Sequence, residues 1–409
     1  MGSPDSTSAR VLRMCLLFGL LVYGFGFWVN RALAFTDFRV LHLAGRLVND
    51  GRAETAYDPT AFLSEASADP YLAETARELD VFISPPPFAL FIRPFALLPS
   101  QTALALWLAL GALGVVGAVR VLRLPWWSAI VALIMPFGIA NIYHAQTGFL
   151  AVLWVAAIHR LSVDDRPVAA GLVAGLAVLK PTLLLGVAVW WLLDWRRWYP
   201  ALSAALAMGT AIVAATVVGG FEQWRLFFGA LDARAALEQE VIANQPTLAE
   251  VVNRAVGTDI GSHPIALIVY VAIGALAMFV AIRRWHDNTA ALSGFAMLLS
   301  VLISPHMLIY DTGVLLVPVA VLFSAGAAIV TIERLTMVYV VTSLMTILSI
   351  GWLGTLNDWT IPGTFGVVAV AGLWVRAMAQ LSTRADNAPS NVDVVIEHNV
   401  DDGQSPLAA

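Results

Sequence analysis

An all-α bundle of about twelve transmembrane helices is the fold class the sequence predicts, and three observations predict it. The 409-residue chain is 59% hydrophobic and only 12% charged. Its mean hydropathy is +0.79. Its apolar residues fall in long runs separated by short polar turns. Soluble chains carry about 25% charged residues, so a water-soluble core is excluded. The net charge of −5, with no clustered Lys/Arg stripe, argues against nucleic acid as a partner. The single Cys15 sits inside the first apolar run and rules out both an intramolecular disulfide and a cysteine metal site.

A membrane-crossing helix needs about 20 mostly apolar residues. Runs near that length occur at 11–35, 101–119, 126–141, 147–160, 167–180, 182–195, 200–219, 264–283, 289–304, 307–325, 328–350 and 362–379. The first is too long for a signal h-region and has no small-residue cleavage site after it, so it reads as a signal anchor. The stretch 167–195 is either one long helix or a hairpin broken at Lys180-Pro181.

Arginines set the orientation, because cytoplasmic loops are enriched in basic residues. Arg10, Arg13, Arg120, Arg123, Arg160, Arg166, Arg196, Arg197, Arg283, Arg284, Arg334, Arg376 and Arg384 all fall on one side if both termini are cytoplasmic and the hairpin reading is used. The other side then receives two long loops, 36–100 and 220–263. In the first, Leu41, Ala44, Leu47 and Val48 have helical spacing, and residues 60–80 read as a second amphipathic helix. Ser84-Pro85-Pro86-Pro87 is expected to be extended or turning. Phe88–Pro99 reads as an interfacial segment. The second loop holds an amphipathic stretch at 221–240. Residues 1–381 thus form one transmembrane domain, and 382–409 form a polar, acidic tail expected to be disordered and cytoplasmic.

Several polar residues fall on the outer side of this topology, which was set without them. Asp37 follows the first span directly. It is either a general base at the water–lipid boundary or a helix N-cap. Asp58, before Pro59, is a substrate contact or a cap with Pro at the first helical position. Lys180 is the sole lysine; every other one of the 23 Lys and Arg residues is arginine. An ammonium in an apolar run costs roughly 2.5–3.5 kcal/mol unless it pairs or snorkels, and one at an outer helix end suits a phosphate. His306 and Tyr310, four apart, would share a helix face, and Asp311 would be costly unpaired. Asn141, His144 and Gln146 lie in one short outer turn, where Gln146 is either a sugar or phosphate donor or a turn residue. Asn244 lies in the second loop. No zinc pattern, Gly-rich nucleotide loop or nucleophile elbow appears, so an activated donor on the outer face would be a lipid.

The ordered set Asp37-Phe38, Tyr57-Asp58-Pro59, Ser84-Pro85-Pro86-Pro87-Phe88-Ala89-Leu90, Gln146-x-Gly148, Lys180-Pro181-Thr182 and Ser304-Pro305-His306 resembles glycosyltransferase family 87. The resemblance runs from about residue 11 to residue 325. It implies a type C glycosyltransferase fold and an inverting hexose transfer, with mannose the expected sugar. The donor would be a polyprenyl-phosphate sugar and the acceptor a glycolipid or glycan, at the outer face of the cell membrane. By position Asp37 would be the catalytic base. Lys180 and His306 would hold the donor phosphate. Asp58, Gln146, Asn244, Tyr310 and Asp311 would surround the substrate. A monophosphate donor gives no strong reason for a metal, and no metal or cofactor is expected beyond the lipid-linked donor itself. A transporter or flippase of an amphiphilic substrate shares the many spans and the break at Lys180-Pro181, and a docking scaffold for envelope enzymes is a third reading. The one-sided gathering of polar residues favours an enzyme, since transporters usually bind near the midplane.

Overall fold

In a computed structural model, residues 34–70, 82–237, 264–304, 307–352 and 361–386 are described, with a few positions between 13 and 24 and at 72–73. The expected first span, residues 74–81, Asn244, His306 and the acidic tail lie largely or wholly outside them. Among the described residues every regular element is helical. Three helices are long and apolar enough to cross a membrane: α4 (Ser100–Val121), α10 (Trp198–Gly219) and the described part of α12 (Pro264–Trp285). A fourth crossing arises if α5 (Trp127–Ile134) and α6 (Pro136–His144), bent by 66° at Met135, count as one. The bend falls where Pro136 cannot donate into the preceding turn.

Shorter apolar helices fill most of the remaining runs: α7 (Gly148–Val163), α8 (Pro167–Ala174), α9 (Leu185–Leu193), α13 (Thr289–Ile303) and α14 (Leu316–Ser324); the longer α15 (Ile329–Trp352) and α16 (Ile361–Asp386) follow. Several are shorter than expected because the backbone tightens into 3₁₀ turns at Gly175–Leu179, Pro181–Leu184 and Ile309–Leu315. The chain is interrupted at Lys180-Pro181, whose lysine adopts φ −153° and ψ 77°.

The bundle packs through small residues and a few buried polar contacts, the usual means where lipid supplies no hydrophobic contrast. A Cβ on Gly171 of α8 would stand 2.0 Å from Ser203 Oγ and 2.3 Å from Pro200 O of α10, so only glycine allows these helices their separation. His159 Nδ1 lies 2.6 Å from Ser293 Oγ between α7 and α13. Trp374 Nε1 donates to Pro318 O, tying α16 to α14. Where α9 ends, Arg196 donates to His286 O and Arg197 to Thr289 Oγ1, so that turn sits beside the α12–α13 turn with its arginines.

A second apolar core lies in the 36–100 loop. α1 (Thr36–Asn49) buries Phe38, Leu41, Leu43, Ala44, Leu47 and Val48. Its partner α3 (Pro86–Ala96) lies so close that a Cβ on Gly45 would be 2.8 Å from Ala96 Cβ. Ser84 bends and Pro85 is extended, as expected of the run, but Pro86 and Pro87 open α3 instead. Proline is well suited to a first helical turn because its missing N–H would be unpaired there anyway. The second helix expected in this loop is α2 (Pro59–Ala68), which stops at an extended Asp69 rather than running on toward residue 80. The amphipathic stretch after α10 is α11 (Glu222–Leu237), whose Phe227 meets the Tyr57 ring edge-on at 5.8 Å. Phe38 and Phe95 both pack on Trp107 of α4, joining this core to the bundle.

Candidate active site

Asp37 stands in the first turn of α1, at the junction of the two cores. It does not cap the helix. Phe35 is the N-cap residue, at φ 65°, and no side chain caps there. The capping account of Asp37 therefore fails, leaving its carboxylate free for another purpose. Phe35 holds its left-handed conformation partly because its N–H donates to Tyr143 O at 2.8 Å, binding the start of α1 to the end of α6. Asp58, in contrast, is the N-cap of α2. Its Oδ1 accepts from Ala61 N at 2.9 Å, so the cap explains this carboxylate.

The turn after α6 faces Asp37. Gln146 Nε2 donates to Asp37 Oδ2 at 2.6 Å. His144 Nδ1 lies 3.6 Å from the same oxygen, and both side chains remain about one-third exposed. Between them Ala145 is buried at φ 50°, a conformation that costs a non-glycine residue about 1–3 kcal/mol. Trp107 Nε1 donates to Ala145 O at 2.9 Å and holds the turn in place. Two left-handed non-glycine residues, Phe35 and Ala145, thus flank the carboxylate and its partners.

The far wall comes from the 3₁₀ segment Ile309–Leu315. Asn141 Nδ2 donates to Tyr310 O at 2.8 Å, crossing from α6 to that segment. Gly148 makes the approach possible, since a Cβ there would lie 2.3 Å from Tyr310 O and 2.5 Å from the Asn141 side chain. The Tyr310 ring lies 5.9 Å from the His144 ring. On Tyr310 sits the Lys180 ammonium, 4.9 Å from the ring centroid. Lys180 also pairs with Asp311. Asp311 is enclosed, with its side chain 1% exposed, while Lys180 is 23% exposed. The expensive charge of each is therefore offset by the other, and of the two the ammonium is the more accessible.

Five sequence-marked residues, Asp37, Gln146, Lys180, Tyr310 and Asp311, are accordingly linked through successive contacts. Asp58 is engaged at a helix start, and Asn244 and His306 lie outside the described residues. Tyr310 lies in a 3₁₀ turn that starts at Ile309, and the helical face expected for it with His306 falls partly outside the described residues. His144 is the member the sequence reading passed over as a site residue. A separate cleft of about 510 Å³ opens between α1 and the Leu97–Thr102 turn, with His42, Arg46 and Asp69 in its wall. None of the five linked residues lines it. Among the described residues, no three His, Cys, Asp or Glu side chains gather to hold a metal ion.

Chemically, the cluster offers a carboxylate bonded to an amide and lying beside an imidazole, and an ammonium with donors to spare at the other end. That arrangement can take a proton from a hydroxyl and bind an anion. No curated protein and no solved structure matches the chain. The family model of glycosyltransferase family 87 matches residues 82–305, more than half of the chain and including Gln146 and Lys180. The match begins beyond Asp37, so the placement of that residue rests on geometry. With its apolar helices and this match over most of the bundle, the chain belongs to glycosyltransferase family 87 and is a membrane glycosyltransferase.

Proposed function

We propose that the protein is an inverting hexosyltransferase that moves mannose from a polyprenyl-phosphate donor to a glycolipid or glycan acceptor. The observation that carries this reading is the contact chain from Asp37 through His144 and Tyr310 to Lys180. Asp37 takes the proton of the acceptor hydroxyl as its oxygen bonds to C1 of the sugar. The C1–O bond to phosphate breaks on the opposite face, which inverts the β-linked donor to an α-linked product. The leaving polyprenyl phosphate gains a negative charge and needs cations rather than a proton. Lys180 supplies one. An ammonium has three donors, and Asp311 with the Tyr310 face orients it while leaving N–H groups for the phosphate. His306 is the second phosphate ligand, and Asn244 a contact to sugar hydroxyls. Gln146 fixes the Asp37 carboxylate.

In this reading twelve helices cross the membrane and the site faces the non-cytoplasmic side of the cell membrane. The proximity of the Arg196–Arg197 and Arg283–Thr289 turns supports the grouping of arginines on the opposite side. The test is incubation of the purified protein in lipid with a panel of polyprenyl-phosphate sugars and glycolipid acceptors, with products analysed by mass. The expected result is an α-mannosylated acceptor and free polyprenyl phosphate. Labelled donor crossing sealed vesicles without a new glycosidic bond would replace this reading with a flippase.

A further inference from the structure

We infer that His144 is the residue through which Asp37 gives up the acceptor's proton, so that the base is a carboxylate–imidazole pair. The inference rests on the reading of Asp37 as the base. Each turnover puts one proton on that carboxylate and sends the electron pair of the broken C1–O bond away on phosphate. Asp37 must lose the proton before the next cycle; its side chain is about one-third exposed, and beside direct loss to water the imidazole of His144 is a fixed acceptor on the same side as Oδ2.

The geometry places an acceptor beside Asp37. His144 Nδ1 is 3.6 Å from Asp37 Oδ2. That is longer than a hydrogen bond, but catalytic contacts are commonly long in the unliganded enzyme and tighten when substrate binds. The imidazole is held ready by its surroundings. Its ring meets the edge of Tyr143 at 4.8 Å and 86° and lies beside Tyr310. The strained Ala145 that follows is pinned by Trp107. The backbone bond from Phe35 to Tyr143 O fixes the distance between the elements carrying the two groups. The titratable groups around the ring are Asp37 from α1, Tyr143 on its own helix and Tyr310 from the 3₁₀ segment, with the Lys180–Asp311 pair behind Tyr310.

The step balances without an oxidant or co-reactant. Asp37 takes the hydroxyl proton. The proton passes from Oδ2 to Nδ1 of the neutral, Nε2-protonated imidazole, which becomes cationic beside the restored carboxylate. Nε2 then releases a proton to water, and proton exchange with water returns the ring to its Nε2-protonated tautomer before the next cycle, which the 38% exposure of the side chain allows. His144 acts through Asp37 and touches neither sugar nor phosphate, so it is a positioning and relay residue.

The experiment uses the full chain in lipid nanodiscs with polyprenyl-phosphate mannose and compares wild type, His144→Gln, His144→Ala and Asp37→Asn. The expected result is a fall in kcat of about 10–100-fold for His144→Gln, with donor KM within about threefold and the acid limb of the kcat–pH profile assigned to the imidazole removed. Added imidazole should restore turnover in His144→Ala and not in Asp37→Asn. An unchanged kcat and pH profile in His144→Gln, with Asp37→Asn inactive, would overturn the relay and leave the proposed function standing. Titration of ¹⁵N-labelled histidine in wild type and Asp37→Asn tests the pair independently of turnover. A lower His144 pKa in Asp37→Asn supports it, and no change overturns it. Absence of product from wild type with every donor would overturn the transferase reading instead.

Discussion

Replacing Lys180 with methionine should harm the folded protein more than replacing its partner, Asp311, with asparagine. The Asp311 side chain is 1% exposed and the Lys180 side chain 23% exposed. In Lys180→Met the buried carboxylate is stranded with, among the described residues, the Leu308 N–H 3.4 Å away as its further partner. Breaking a buried pair in this way costs about 3–5 kcal/mol. In Asp311→Asn the ammonium keeps the Tyr310 face and can extend toward water. The loss is then nearer that of one charged hydrogen bond, about 1.5–3 kcal/mol. The double variant Lys180→Met/Asp311→Leu removes both charges and should recover to within about 1 kcal/mol of wild type, since apolar replacement of a buried pair is often neutral or better. On the proposed role of Lys180 as phosphate ligand, the double variant's transferase activity should be absent. Denaturant unfolding of the four proteins in one lipid system reads all of these numbers. Equal losses for both single variants, or a double variant as unstable as Lys180→Met, would refute the pairing argument.

Gly148→Ala should lower stability by about 1–3 kcal/mol and reduce turnover, because the new methyl displaces Tyr310 and Asn141; thermal unfolding and kcat together check it. Asp58→Ala should cost about 0.5–2 kcal/mol through loss of the α2 cap, with kcat and donor KM unchanged; a large KM rise would return Asp58 to the substrate contacts. The His42 pKa is held below its ordinary 6.5, first by burial and further by Arg46, against the bond to Leu98 O and the charge of Asp69. The unfolded chain therefore takes up this proton at higher pH than the folded one. Stability from this group is complete above about pH 6.5 and declines as pH falls below it, and the pH slope of unfolding should flatten in His42→Gln.

The membrane character, the positions of most helices and two of the site's charges are legible in sequence because each depends on local composition. Lys180 announces itself as a solitary lysine next to proline in an apolar run. The need of Asp311 for a partner is equally plain. That the two satisfy each other is not, since 131 residues separate them and hydropathy carries no pairing information. Asp37 shows the limit from the other side. Cap and base are the same residue type after the same span, and the choice turns on the φ of Phe35, which is fixed by a bond to Tyr143 far along the chain. The 3₁₀ breaks at 175–184 and 309–315 change hydrogen-bond pattern without changing apolar composition, so run lengths overstate helix lengths there. His144 was in view beside Asn141 and Gln146, but a lone histidine in a turn has no meaning until the carboxylate opposite it is known.

The central claim is that Asp37 removes the acceptor proton, and Asp37→Asn tests it most directly in a single-turnover assay with polyprenyl-phosphate mannose in lipid. The account predicts a loss of about 10²–10⁴-fold in the transfer rate with donor affinity close to wild type, since the proposed phosphate anchor is Lys180. Transfer at the wild-type rate, or a loss wholly explained by weaker donor binding, would contradict it.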